Sequence, residues 1–129
     1  MNERLEEATE LHTIRIYRDA QGNQPVKKYL LELAGKTDKD SRIQLAKIDY
    51  YLEALRNRGT RVGEPFVKHI DGDIWELRPL SDRFFFIGWD GNKFILLHHS
   101  TKKTPPHEMQ KVKSILKDFI KRSDNKNEK

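Results

Sequence analysis

Between residues 66 and 99 the hydrophobic pattern changes from helical to alternating, and this change constrains the fold more than any other feature of the sequence. Four short segments have the pattern of β-strands, in residues 66–70, 73–79, 83–89 and 93–99. The connections between them have hairpin length, and two contain the Gly that a positive φ favours. Together these segments predict a four-strand antiparallel meander.

Helical patterns precede and follow the meander. Pro25 before a run of apolar residues and Gly35 after it predict a first helix of about three turns. Thr37 or Asp38 can cap a second helix that runs to about Arg58. Its apolar residues recur every three or four positions and indicate a core-facing stripe: Leu45, Ile48, Leu52 and Leu55.

The remaining elements complete the order of the fold. Residues 11–18 alternate as a strand does, and residues 59–65 have the composition of a loop. A last helix begins after Thr104 and runs to about Arg122, with Met109, Val112, Leu116 and Phe119 toward the sheet. The order strand, helix, helix, meander, helix predicts an α+β domain with helices packed against one sheet.

The chain length of 129 residues suits one domain. We expect that domain in residues 11–122, between an acidic segment of residues 1–10 and a polar tail of residues 123–129. The longest uncharged apolar run, residues 84–89, is far below the roughly 20 residues of a membrane span. The first residues also lack the apolar stretch of a secretory signal. We therefore expect a cytoplasmic protein with no membrane partner.

Charge favours a polyanionic partner only weakly over the whole chain, because 25 Lys and Arg face 20 Asp and Glu. The cations are concentrated in the last helix, where Lys113, Lys117 and Lys121 recur every fourth residue on its outer face. Such a stripe is typical of phosphate binding. A solvated helix face explains the same stripe, so both interpretations stay open.

Strand alternation sorts the candidate functional side chains by face. If Trp75 and Leu77 point into the core, Glu76 and Arg78 share the opposite face. Lys68 is then either an edge residue or a cation in partly apolar surroundings. Several cations can converge on one open end of the sheet: Arg78, Arg83, one of His98 and His99, Lys102 and Lys103. The plainer alternative pairs Glu76 with an arginine and leaves the lysines as surface residues.

Other kinds of chemistry lack their usual residues. The chain has no Cys, which excludes disulfides and thiolate catalysis. The side chains of His98 and His99, adjacent on a strand, point to opposite faces, so we predict no metal site and no cofactor. Neither a G-x-S-x-G elbow nor a glycine-rich phosphate loop is present. One of the two histidines remains the best acid/base candidate.

The order of motifs resembles the RelE/HigB family of type II toxin-antitoxin toxins, and in particular its phage-associated HigB-like branch. The resemblance covers roughly residues 14–119. Its motifs are IWELR at 74–78, RFFF at 83–86, FILLH at 94–98 and KKT at 102–104, followed by Pro and Glu108. After His98 the family commonly has a small residue and then an aromatic one, whereas this chain has His99 and Ser100. The segment between the two lysines and the proline is also shorter than usual.

The resemblance implies a RelE-like fold and a toxin that enters the ribosomal A site and cleaves mRNA. It would act as an mRNA interferase, an endoribonuclease in which the 2′-OH attacks the adjacent phosphate without a metal ion. A cognate helix-turn-helix antitoxin, HigA-like, would neutralise it.

The same resemblance implies roles for the site residues. Arg78 and Arg83 would hold the scissile phosphate, because guanidinium groups suit two oxygens. Lys68 would act as a base or stabilise charge. His98 would donate the proton to the leaving group, with His99 as its substitute. Basic residues would hold the RNA backbone: Lys102, Lys103, Lys113, Lys117 and Lys121.

Two alternatives come from other functional classes. ParE-like toxins of the same superfamily poison gyrase and perform no chemistry, but the histidine pair and the adjacent lysines argue mildly against that reading. A basic RNA-binding module without enzymatic activity is the other alternative. The sequence shows no exposed aromatic set at the spacing of a base-stacking platform, which weakens sequence-specific single-strand recognition.

Overall fold

The computed structural model describes residues 12–101 and 106–127, and its elements follow the predicted order. Five strands and three helices are present in these residues: β1 Thr13–Ile16, α1 Pro25–Ala34, α2 Lys39–Arg58, β2 Val67–Asp71, β3 Ile74–Leu77, β4 Asp82–Trp89, β5 Lys93–Thr101 and α3 Pro106–Asn127. The predicted α+β class, with a meander and a C-terminal helix, is confirmed. No helix in the described residues is long and apolar enough to cross a membrane.

Two local details differ from the sequence prediction. The expected loop after α2 contains a short 3₁₀ turn, Gly59–Val62. Helix α3 does not end near Arg122 but continues to Asn127, into the segment that we predicted as a polar tail. Polar residues lack an apolar face to pack, yet they can extend a helix that packing has already nucleated upstream. The acidic segment, residues 1–10, lies outside the described residues.

The helix starts obey the signals read from the sequence. Pro25 occupies the first turn of α1, where its missing N–H removes no intrahelical hydrogen bond. Asp38 caps α2, and its carboxylate accepts a 3.0 Å hydrogen bond from the Ser41 backbone N–H. The cap therefore satisfies one of the free donors at the start of this helix.

The five strands form one sheet in the order β1-β5-β4-β3-β2. Strands β2 to β5 pair antiparallel, which confirms the meander. Strand β1 pairs in parallel with β5, with Ile14 opposite Phe94. This pairing places the first strand at one edge of the sheet and β2 at the other.

Helices cover both faces of the sheet. On one face α1 and α2 supply Val26, Leu33, Ile48 and Leu55, which pack against β-strand residues that include Leu77, Phe84 and Phe86. On the other face Val112 of α3, fully buried, packs against Phe85, Ile87, Ile95 and Leu97. Successive residues of β4 therefore enter two different cores, which explains why this strand is apolar on both faces.

A β-bulge in β5 decides where the histidines point. Phe85 lies opposite His98, but Phe86 lies opposite Leu96, so Leu97 is an extra residue without a partner. Leu97 packs in the α3 core, and the His98 side chain contacts α3 as well. The bulge thus places His98 on the α3 face and His99 on the face covered by α1 and α2.

Candidate active site

Polar side chains from four strands and one helix meet on the α3 face of the sheet. Strand register places Lys68 opposite Glu76, Glu76 opposite Phe85, and Phe85 opposite His98. Neighbouring strands lie about 4.8 Å apart, so these residues form one row across the sheet. We name the polar residues of this region the α3-face cluster: Lys68, Glu76, Arg78, Arg83, His98 and Glu108.

Glu76 is the centre of the charged part of this cluster. Its side chain is only 10% exposed, and its Oε1 lies 3.4 Å from Nε of Arg78 and 3.9 Å from Nε of Arg83. The pairing that we considered from the sequence is therefore present, and with both arginines. Burial raises the pKa of Glu76, while the positive charges of Arg83, Arg78 and Lys68 oppose that rise. The carboxyl group holds two guanidinium groups on one surface.

The two arginines differ in how their donors are used. Arg83 is buried, and its Nη1 donates 2.8 Å hydrogen bonds to the carbonyl oxygens of Leu80 and Asp82. The Arg78 side chain is 31% exposed, and its Nε is buried without a hydrogen-bond partner in the described residues. Arg83 therefore fixes the turn before β4, whereas Arg78 is the more exposed of the two arginines.

His98 forms the second functional part of the cluster. Its Nε2 lies 2.7 Å from Oε1 of Glu108, in the first turn of α3. We assign the hydrogen to Nε2, because an ionised carboxylate only accepts hydrogen bonds. This hydrogen bond lowers the pKa of Glu108 against a small opposing effect of burial, so the carboxyl group stays ionised. The pair fixes the orientation of the imidazole and connects β5 with α3.

His99 has entirely different surroundings on the α1 and α2 face. Its Nε2 lies 2.8 Å from Oδ1 of Asp82, and its ring stacks on Tyr29 with centroids 3.8 Å apart. Tyr29 also donates to both carboxylate oxygens of Asp82, at 3.0 and 2.8 Å, and Gln44 donates to the same group. The structure does not bring His99 into the α3-face cluster.

Asp82 holds this second network together. Burial raises the pKa of Asp82, but hydrogen bonds from His99, Gln44 and Tyr29 outweigh it, and the pKa lies below its ordinary value. Burial and the bond to this carboxylate raise the pKa of Tyr29, which therefore remains a donor. The network satisfies every polar group that it buries here, as a structural network must.

The predicted RNA-binding lysines of α3 are spread along that helix, from Lys113 to Lys121 beside Arg122. Lys113 forms a 2.7 Å ion pair with Asp71, and both side chains are 56% exposed. Lys117 and Lys121 are exposed on the outer face of α3, as the helical spacing predicts. Lys102 and Lys103 lie outside the described residues. Lys68 is exposed on β2, an edge strand. Of the two surroundings that we considered for it, the structure shows the edge position.

Sequence reasoning missed three participants. Glu108 entered only as part of a motif, although it contacts His98 ten positions earlier in the sequence. Asp82 and Tyr29 were not singled out, because no spacing signal connects residues 53 positions apart. The one sequence feature that indicated Asp82 was its position just before Arg83, at the start of a predicted strand.

Metal ligands are not grouped in the described residues. In residues 12–101 and 106–127, no group of three or more His, Asp and Glu side chains is arranged to hold a metal ion. The prediction that the site works without a metal remains a prediction.

Comparison with protein-family models gives a match. The model of a family described as "Phage derived protein Gp49-like (DUF891)" matches residues 35–118. That range includes α2, the whole meander and every residue of the α3-face cluster. No curated protein matches the chain.

Proposed function

The chain belongs to the phage-derived, toxin-like Gp49-like family, and from this premise we propose that it is the toxin of a type II toxin-antitoxin system. We further propose that it is an mRNA interferase, which cleaves mRNA in the ribosomal A site through attack of the 2′-OH on the adjacent phosphate. Its antitoxin would be a helix-turn-helix protein of the HigA-like kind.

The observation that carries this proposal is the composition of the α3-face cluster. Cleavage by an internal 2′-OH needs positive charge beside the phosphorane and a donor for the leaving 5′-oxygen. The cluster supplies cations on neighbouring strands and a histidine held at 2.7 Å by a carboxylate. A protein that only binds gyrase has no use for such a proton-transfer pair.

The exposure of each arginine suggests its role. Arg78 is the phosphate ligand that we favour, because its side chain is 31% exposed, against 11% for Arg83. Arg83 adds positive charge from a buried position and holds Glu76 and the turn carbonyls in place. Lys68, on the exposed edge strand, stabilises the charge of the phosphorane rather than acting as a base.

His98 is the proton donor in this proposal. When protonated, it keeps Nε2–H on Glu108 and presents Nδ1–H to the leaving 5′-oxygen. Glu108, whose pKa is lowered by this hydrogen bond, holds the ring in that orientation. His99, stacked on Tyr29 and bonded to Asp82, is a structural residue in this scheme.

The test is a cell-free translation reaction with purified protein and a defined mRNA, in which 3′ ends are mapped by primer extension. We expect cleavage that depends on ribosomes and a loss of about 100-fold or more in Arg78→Ala and His98→Ala. Arg42→Ala and His69→Ala serve as matched controls, because both residues are exposed and outside the cluster. They should cleave as the wild type does.

Two results would contradict the proposal at different levels. Wild-type rates in both cluster variants would overturn the site assignment. No cleavage by the wild-type protein with active ribosomes present would overturn the endonuclease function. Metal analysis of the purified active protein tests the metal-free mechanism, and zinc or manganese in stoichiometric amount, tied to activity, would refute it.

A further inference from the structure

Two adjoining cavities lie at the end of the sheet opposite the α3-face cluster, around the turn between β4 and β5. Their volumes are about 800 and 510 Å³, within the range of ligand-binding pockets. Both are lined by Trp89, Asp90 and Lys93. The first cavity lies on the α1 and α2 face of the sheet, with Phe94, and the second lies on the α3 face, with Ile95. They flank the end of the sheet around this turn, and we name them together the turn-end groove.

The lining of the turn-end groove is strongly cationic. The first cavity contains Arg58 and Arg61, the second contains Arg15, Arg18 and Arg122, and Lys93 belongs to both. Asp90 is the single acidic residue among the lining residues of the two cavities. The six cations and one carboxylate together give the groove a net charge of about +5. Such a concentration of one sign of charge attracts a polyanion.

Few of these cations are neutralised by neighbours. Lys93 lies 3.8 Å from Asp90, and Arg122 forms a 3.0 Å ion pair with Asp118. In the described part of the chain, Arg15, Arg58 and Arg61 have no carboxylate within ion-pair distance, and all three are exposed. Their guanidinium groups are available for phosphate oxygens, to which they can donate two hydrogen bonds at once.

The first cavity is closely packed where the end of α2 meets β5. The His12 ring packs on Phe94 with centroids 4.9 Å apart, and its Nδ1 lies 3.1 Å from the Arg56 carbonyl oxygen. Gly59, at φ +64°, lies beneath this ring, and a Cβ there would stand 3.2 Å from it. The floor of the first cavity is thus built from aromatic rings and a glycine, while the charges line its walls.

The groove is separate from the α3-face cluster. Lys93 and His98 are the relevant positions on β5, and five residues of strand span about 17 Å. A phosphate in the groove therefore cannot be the scissile one. A nucleic acid in the groove would therefore place a different part of its backbone there.

We propose that the turn-end groove binds the sugar-phosphate backbone of RNA at a distance from the cleavage site. The choice of RNA as the polyanion rests on the proposed function. The groove supplies affinity and orientation, and the α3-face cluster supplies the chemistry. This division is typical of nucleic-acid enzymes, in which phosphate contacts position the protein without reading sequence.

The test measures binding of a fluorescent 2′-O-methyl RNA, about 20 nucleotides long, at salt concentrations from about 50 to 200 mM. This probe cannot be cleaved by 2′-OH attack, so the result does not depend on catalysis or on ribosomes. The groove variants are Arg58→Ala/Arg61→Ala and Arg15→Ala/Arg18→Ala. The matched control is Lys39→Ala/Arg42→Ala, which removes the same charge from exposed positions near the start of α2, outside the groove.

We expect each groove variant to bind about tenfold more weakly, because an exposed phosphate contact contributes about threefold. Loss of two contacts should also reduce the slope of log K against log salt by about 1.4. The control should change neither quantity, and thermal unfolding will show that all variants are folded. Wild-type affinity and slope in both groove variants would overturn the proposal, as would equally strong displacement of the probe by polyglutamate of matched charge.

Failure of this proposal is distinguishable from failure of the proposed function. If the protein cleaves mRNA but its groove variants bind the probe normally, only the groove assignment is wrong. If it binds the probe through the groove but never cleaves mRNA, the endonuclease function is wrong and the RNA surface stands.

Discussion

Two adjacent histidines show how much a single residue's surroundings decide its function. His98 contacts a carboxylate at the surface of the α3 face, whereas His99 is stacked and hydrogen-bonded on the other face. Alternation predicted that they point in opposite directions, and this is confirmed. It did not predict which one faces the arginines, because that choice depends on one extra residue in β5.

The two arginines of the cluster should separate activity from stability. Arg78→Ala removes a partly exposed side chain, so we expect a large loss of mRNA cleavage with little change in the free energy of unfolding. Arg83→Ala leaves the Leu80 and Asp82 carbonyl oxygens without their donor, which costs about 1 to 3 kcal/mol of stability as well. Urea unfolding beside the cleavage assay measures both quantities. Equal stability of the two variants would contradict the structural role of Arg83.

Asp82→Asn should change how stability depends on pH. The pKa of Asp82 is lower in the folded protein than its ordinary value, so its stabilising effect is complete above that ordinary value and is lost as pH falls through the folded pKa. The variant should lose about 1 to 3 kcal/mol at pH 7, because the amide faces Tyr29 and Gln44 as a poorer acceptor.

Urea unfolding of wild type and Asp82→Asn at several pH values from 7 to 3 checks this expectation. The difference between the two proteins should shrink as the solution is acidified below the ordinary pKa of an Asp. A difference that stays constant down to pH 3 would show that the charge of Asp82 does not stabilise the fold.

At the scale of elements, local patterns predicted most of the fold. Hydrophobic periodicity, Pro25 and Asp38 gave the helices and strands to within a few residues. The parallel pairing of β1 with β5 has no local signal, because its partners are far apart in sequence. The bulge at Leu97 has none either, since an extra apolar residue in an apolar strand leaves the pattern unchanged. The bulge decides which histidine joins the cluster, so the cluster's exact membership was beyond the sequence.

Helix α3 connects packing with the site, because it supplies both Val112 to the core and Glu108 to His98. Val112→Ala leaves a cavity under the helix and should cost about 2 kcal/mol of unfolding free energy. Cleavage should fall even at temperatures where the variant is folded, since the helix no longer holds Glu108 in place. Lys113→Ala, an exposed change on the same helix, should leave the thermal midpoint nearly unchanged. Full cleavage activity in folded Val112→Ala would contradict this coupling.

At the scale of the whole molecule, positive charge is divided between two surfaces at opposite ends of the sheet. Residues 1–10 carry four Glu and one Arg, which raises the question whether this segment neutralises the basic surfaces of its own chain. We expect their deletion to leave both toxicity and antitoxin rescue intact, because exposed ion pairs contribute only about 0 to 1 kcal/mol each. Growth of cells that express equal amounts of the full and shortened proteins measures this. A markedly more toxic shortened protein would show that the segment inhibits.

The parallel pairing of β1 and β5 also governs when a newly made chain becomes complete. Ile14 is synthesised early, but its partner Phe94 follows 80 residues later. The sheet therefore closes only after β5 has left the exit tunnel, and closure of so long a loop is slow. His98 and Glu108 are made later still. A translation product that ends before Glu108 therefore lacks the pair of His98 and Glu108.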